Sequence, residues 1–316
     1  MTHCPVLLAP KGGRLELEPI AGDIAPSVTR IFACDAYVDG IEAGRPIPGL
    51  SAGFMKTLRV GGREVEVVNI DHHAPDPRAE REVSSGNLAI EWIGAHGQPD
   101  PTSSVVVINH TDCDSVVSAA LMSGNVDAGL HREVLGRAVI DADHGSAELP
   151  LAELLQALDN ERDFGLSLRS MLRHLEGLPP EDRVGPLVDK RRADRAEFAA
   201  LVRTRLRWRG SVAVLELDRP ADGLDNAFFP ALVPDAALCI LASPVSAAPG
   251  SRLEIKLRHG PRAPHGLRLN RLPFDPDFGG RWNAGGNKRS GGTDMGLDDW
   301  LDRLELWMKS YPASSP

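Results

Sequence analysis

REVEVVNIDHH (63–73) and SSVVVINHTDCD (103–114) decide how this chain is read. Each begins as an apolar, β-branched run of strand length. Each ends in a burst of Asp and His: Asp71-His72-His73 closes the first, and His110-x-Asp112-x-Asp114 closes the second. In an open parallel sheet, ligands bind beyond the carboxyl ends of the strands. Two strands that deliver such side chains at that end point to one shared site.

Working outward, VTRIFACDA (28–36) reads as a strand ending at Asp35. SGNLAIEWIGAHG (85–97) and SVVSAALMSG (115–124) read as helices. EVLGRAVIDADHG (133–145) is helix-like and ends in an acidic turn with Asp141, Asp143 and His144. Alternation of this kind predicts an α/β domain with a mostly parallel sheet. Residues 151–208 look helical, broken by Pro179-Pro180, and DKRRADRAEFAALVRTRLRWRG (189–210) reads as a connecting helix. A second β-rich unit follows in SVAVLELD (211–218), AALCILASP (236–244) and SRLEIKLRHG (251–260), then a glycine-rich segment and a closing helix (297–310). The expected organisation is a metal-binding domain over 1–195, a connecting helix over 196–210 and a smaller α/β domain over 211–316.

The composition, 42% hydrophobic and 25% charged over 316 residues, is that of an ordinary globular chain with room for a sizeable core. No apolar run reaches the roughly 18 residues of a membrane span. The N-terminal apolar stretch is too short for a secretory signal. Cys4, Cys34, Cys113 and Cys239 form no Cys-x-x-Cys pair, which disfavours a structural zinc or a disulfide framework and fits a reducing, cytoplasmic setting. The net charge of −9 argues against a surface for long duplex nucleic acid. Residues 251–289, however, carry nine Lys/Arg against three acids, which suggests one local site for an anion. A homodimer is compatible with the sequence, which does not set the oligomeric state.

Closely packed acids repel one another, and burying each costs several kcal/mol unless it is paired. A pair of divalent cations removes that penalty. Mixed Asp and His donors suit Mn²⁺, Fe²⁺, Zn²⁺ or Mg²⁺. Two such ions about 3.5–4 Å apart can clamp a phosphoryl group and activate a water. Taken singly, Asp35, Asp114 and Asp141 also read as helix caps or turn residues. Co-occurrence of the tripeptide with His-x-Asp-x-Asp favours the metal site.

GRWNAGGNKRSGGT (280–293) has the features of an anion cradle. Glycines such as Gly285 and Gly286 allow close backbone approach. Arg281, Lys288 and Arg289 add charge, and Asn283, Asn287, Ser290 and Thr293 add hydrogen bonds. For Trp282, stacking on a base competes with covering the domain core. His144 reads as a ligand, a group behind the ligands, or a turn residue.

IDHH (70–73) with NHTDCDSVVSAALM (109–122) resembles the DHH phosphoesterase superfamily, and the C-terminal half resembles its companion DHHA1 domain. The resemblance implies a two-metal hydrolase, manganese being the most usual ion and Mg²⁺, Co²⁺ or Fe²⁺ the alternatives. It implies that His110 and Asp112 serve one metal, that His72 and Asp114 serve the other, and that Asp35 bridges them. It gives Asp143 the role of the remaining acid, with Asp141 the competing choice. His73 would face the substrate phosphate, and Asp71 would orient the imidazoles. Asp112 or Asp35 would orient the attacking water. Two features depart from the family: the tripeptide precedes His-x-Asp-x-Asp here, and Asn287 stands where the glycine-rich loop has His. The expected activity is hydrolysis of a small phosphorylated substrate, a nucleotide or short oligonucleotide, lying between the two domains. The alternatives are a metal-containing phosphate-binding or sensor protein with little turnover, and a metal-free protein whose acids are caps.

Overall fold

A computed structural model describes residues 3–73, 82–270 and 272–311. Arg271, counted above in the basic window, lies outside the described residues. The chain divides into two compact units, Met1–Lys190 and Arg191–Pro316.

The first unit holds β1 (Val6–Leu8), β2 (Arg30–Cys34), β3 (Arg45–Pro46), β4 (Phe54–Val60), β5 (Arg63–Ile70) and β6 (Ser104–Ile108). They form one sheet in the order β1-β6-β2-β5-β4-β3. The first four in that order run parallel, and β4 and β3 extend the sheet antiparallel. The sequence reading did not anticipate β4. It joins β5 through Gly61-Gly62, both at positive φ (56° and 78°), the backbone of a two-residue hairpin turn.

Among the described residues, this unit contains the α-helices α1 (Ser85–His96), α2 (Cys113–Ser123), α3 (Ala128–His144), α4 (Pro150–Leu158) and α5 (Phe164–Leu175). On one face of the sheet, Phe32, Ile70 and Ile108 share a core with Leu88, Trp92, Leu121, Leu135 and Leu155. On the other, Ile31, Val67 and Val107 pack against Leu15, Ile20, Ile24 and Ile41 from mostly irregular segments. Burial on both faces explains why β2 and β6 read as near-continuous apolar runs. Each such side chain contributes about 1.5–3 kcal/mol by leaving water. α2 is buried over its whole length, as its Ser and Ala content permits.

The second unit holds β7 (Leu206–Arg209), β8 (Val212–Glu216), β9 (Leu238–Pro244), β10 (Leu253–His259), β11 (Gly279–Gly280) and β12 (Ala284–Gly286), in the order β11-β12-β10-β9-β8-β7. β8 and β9 are parallel and the other pairs antiparallel. α6 (Gly185–Arg205) ends earlier than the sequence suggested. Residues 206–209 pair with β8 instead of continuing the helix, because Leu206 and Trp208 alternate with Arg207 and Arg209 at the two-residue period of a strand. Phe198 and Val202 of α6 cover one face of this sheet, and Trp300, Leu301 and Leu304 of α8 (Leu297–Met308) cover the other, α7 (Phe229–Leu232) contributing Phe229 to the first.

Candidate metal centre

Three neighbouring parallel strands deliver the site. Asp35 directly follows β2, the tripeptide follows β5, and His110 and Asp112 follow β6. Asp114 lies in the first turn of α2 and Asp143 in the last turn of α3. Asp35 adopts the left-handed conformation (φ 49°), uncommon for a residue with a side chain. Its N–H donates to Ile70 O at 2.9 Å. The buried Asn69 amide latches the following turn, donating to Ala33 O (3.2 Å) and Ala36 O (2.9 Å) and accepting from Val38 N (3.3 Å).

The seven expected metal or phosphate-facing residues come together as three overlapping donor groups: Asp35-His72-His73, Asp35-His110-Asp112 and His72-Asp114-Asp143. Within each, one atom per residue lies within 4.8 Å of the others. Asp35 belongs to two groups, and so does His72. His110 Nε2 is 2.9 Å from Asp35 Oδ2 and 3.4 Å from Asp112 Oδ2. His72 Nδ1 is 3.3 Å from Asp114 Oδ2, and its Nε2 is 3.7 Å from Asp143 Oδ2. His73 Nδ1 is 2.6 Å from Asp71 Oδ1, so Asp71 orients this ring. Such a set of carboxylate oxygens and imidazole nitrogens suits two divalent ions of the Mn²⁺ or Mg²⁺ kind.

Asp141, Asp143, Asp112 and His144 stand in different surroundings. Asp141 accepts from Leu149 N at 2.7 Å and is spent on the turn after α3, whereas Asp143 joins a donor group. The cap of α2 is Asp112, whose Oδ1 accepts from Ser115 N (3.0 Å), and Asp114 is free of that duty. His144 stands 3.1 Å from Asp143 Oδ2 and against the backbone of Val83, outside the three groups.

The electrostatics express a demand for positive charge. Burial opposes ionisation of Asp35, yet the charges of His73, His110 and His72 and the His110 hydrogen bond outweigh it and hold this carboxyl well below the ordinary range. Burial likewise opposes protonation of His110, but Asp112 and Asp35 prevail and push it up to about 11. The raised pKa of His110 and the lowered pKa of Asp35 are two sides of one pairing of charge.

Three polar residues behind the donors were not singled out from the sequence. Asn109 Nδ2 donates to Gly12 O (3.1 Å), which turns Oδ1 toward His110 Nδ1 (2.6 Å). That fixes the imidazole with Nδ1–H toward Asn109 and Nε2 toward the site. Ser115 Oγ lies 3.0 Å from Asp35 Oδ2 and 2.8 Å from Asp112 Oδ1. Ser85 Oγ lies 2.8 Å from Asp35 Oδ1. An Asn directly before His110 is a signal the sequence did offer; the serines carry none.

The glycine-rich loop of the second unit differs from an open cradle. Asn287 is fully buried; its Oδ1 accepts from Ile255 N (2.8 Å) and its Nδ2 donates to Asp275 Oδ2 (3.4 Å), which also accepts from Trp300 Nε1 (2.9 Å). Its side chain is a structural rivet within the second unit. Gly285 and Gly286 form β12, where a Cβ would strike Phe278 and Ile255 O, so the protein's own packing demands them. The amides of Ser290, Gly291 and Gly292 donate to Asn287 O and Lys288 O. Lys288 Nζ pairs with Asp222 (2.5 Å) and the buried Glu254 (3.5 Å). Asn283 is buried and Trp282 packs edge-on against His259 at 5.3 Å, while Arg281 is half-buried and Arg289 exposed.

No helix among the described residues is long and apolar enough to cross a membrane. No family model and no curated protein matches the sequence. Solved structures do match. A pGpG-specific phosphodiesterase, PggH from Vibrio cholerae, matches at 12% identity over 67% of this chain and 81% of its own, with a TM-score of 0.39. Exonuclease RecJ bound to manganese matches at 13% identity over 94% of this chain and 80% of its own, with a TM-score of 0.42. An uncharacterised protein from Helicobacter pylori G27 matches at 10% identity over 89% and 99%, with a TM-score of 0.21.

Proposed function

We propose that this protein is a metal-dependent phosphoesterase that hydrolyses a small phosphate ester, with a nucleotide or short oligonucleotide as substrate. The observation that carries this reading is the meeting of Asp35, His72, His73, His110, Asp112, Asp114 and Asp143 in three overlapping donor groups at the carboxyl end of parallel strands. His110, Asp112 and Asp35 would hold one ion; His72, Asp114, Asp143 and Asp35 would hold the other. Bound there, two Mn²⁺ ions would polarise the phosphoryl group and lower the pKa of a water. Around them, Asp112 or Asp35 orients that water. His73, aligned by Asp71 and partly exposed, faces the phosphate and stabilises charge that develops on it. Asn109 keeps the His110 ring in the ligating tautomer. In the second unit, Arg281 and Arg289 are candidate anion contacts, and Lys288 faces Asp222 and Glu254.

A phosphoesterase panel with Mn²⁺, Mg²⁺, Co²⁺ and Zn²⁺, read for released phosphate and nucleotide, tests this. Release by the wild type and none by Asp114→Ala is the expected result. Metal and nucleotide binding without release would favour a sensor, and a protein that takes up no metal would overturn the reading.

A further inference from the structure

Ser84 and Ser85 are adjacent and both buried, yet their hydroxyls face different tasks. Ser84 is the N-cap of α1, accepting from Asn87 N at 3.3 Å. Ser85 turns away from the helix. Its Oγ accepts from the backbone N–H of His72 (3.3 Å) and lies 2.8 Å from Asp35 Oδ1. The proton direction is forced. The His72 amide can only donate, so the Ser85 hydroxyl receives it on a lone pair. An ionised Asp35 can only accept, so the single Ser85 proton goes to Oδ1.

Ser85 therefore ties together the two residues, Asp35 and His72, that each belong to two donor groups. The other oxygen of Asp35 is held by Ser115 Oγ and His110 Nε2. Asp35 sits in a left-handed backbone conformation that disfavours residues with a Cβ, so its orientation depends on such contacts. The approach of α1 is itself built in. A Cβ on Gly86 would lie 2.7 Å from Val139 Cγ1 and 3.2 Å from Val117 Cγ1, so glycine lets the helix come near enough for Ser85 to reach Asp35.

We propose that Ser85 is a positioning residue that sets the shared carboxylate and so couples the occupancy of the two metal sites. This rests on the two-metal reading of the donor groups. It is not a helix cap, which is the work of its neighbour, and it touches no reacting atom.

The test uses the full chain, stripped of metal and titrated with Mn²⁺, followed by calorimetry and by electron paramagnetic resonance. Wild type should take up two Mn²⁺ with an exchange-coupled spectrum. Ser85→Ala should weaken uptake of the second ion about 10–100-fold, the range for loss of a hydrogen-bond partner behind a ligand, and diminish the coupled signal. Ser85→Cys, close in shape but a weak donor, should fall between the two and serves if the alanine variant does not fold. Ser84→Ala should lower stability while leaving both affinities and the spectrum as in wild type. Two-ion uptake by wild type with unchanged affinities and coupling in both Ser85 variants overturns the role of Ser85 alone. Absence of Mn²⁺ uptake by wild type overturns the metal reading and this role with it.

Discussion

His110 Nε2 lies 2.9 Å from Asp35 Oδ2, across 75 positions of sequence. The imidazole reaches the carboxylate through Nε2 while its Nδ1 is held by Asn109. Charge, tautomer and direction are set together at this contact. Several measurable consequences come from it and from its surroundings.

Asp35→Asn keeps the shape of the side chain and removes its charge. The donor groups that share Asp35 then lose their common anion, and phosphoesterase turnover with Mn²⁺ should fall by at least about a hundredfold, more than outer partners of a ligand produce. Mn²⁺ stoichiometry should drop from two toward one. Retention of two tightly held ions would show that Asp35 is not shared.

Asn109→Ala removes the group that aligns His110 without touching a donor. Mn²⁺ affinity should weaken about 10–100-fold with the fold retained. Near-ultraviolet circular dichroism reports the fold and calorimetry the affinity; an unaltered isotherm would refute the tautomer argument.

Metal must displace the proton that Asp112 and Asp35 hold on His110, whose pKa stands at about 11. Uptake of Mn²⁺ near neutral pH should therefore release protons, and apparent affinity should rise from pH 6 to pH 8. Titrations in buffers of different ionisation enthalpy count the protons. In the metal-free chain the same shift has the opposite face. A folded pKa raised above the unfolded value of about 6.5 stabilises fully below it and progressively less as pH rises toward 11. Denaturant midpoints of the stripped protein, with this site's contribution isolated by comparison to His110→Ala, should show that decline above pH 6.5.

Asn287→Ala leaves the Ile255 amide and Asp275 short of a buried partner. Stability of the second unit should fall by about 1–3 kcal/mol, the penalty for an unsatisfied buried group. Mn²⁺ binding by the donor groups of the first unit should not change. Urea unfolding alongside a metal titration separates the two; loss of metal binding without loss of stability would contradict the rivet.

Gly86→Ala inserts a methyl against Val139 and Val117. Overpacking there should destabilise by about 1–3 kcal/mol and, by displacing Ser85, weaken Mn²⁺ uptake. An alanine variant as stable as wild type would mean that α1 shifts freely.

Much of the site was legible because strands buried on both faces advertise themselves. Val105, Val106, Val107 and Ile108 form an unbroken apolar run, and the polar residues that follow must lie at the sheet's end. The choice between Asp141 and Asp143 was not legible, since both end the same helix and only its rotation separates a turn-holder from a donor. β4 was missed because Lys56 and Arg59, on opposite faces of the strand, break the apolar pattern of each. The glycine-rich loop admits two readings for a definite reason. Close approach of backbone to a ligand and close approach of backbone to backbone require the same residue, and here Gly286 faces Ile255 O. Ser85 was invisible because serine is common at helix starts and its partner lies 50 positions away.

β2 lies between β5 and β6 in the sheet. The strand carrying Asp35 is thus the keystone, and the two motif-bearing strands are its flanking stones. An arch does not record which flank was laid first. Exchanging the chain order of Asp-His-His and His-x-Asp-x-Asp leaves every neighbour relation about Asp35 available, provided the loops can reach. What selection must preserve is adjacency in space, and a linear pattern of motifs is only one of the ways to write it.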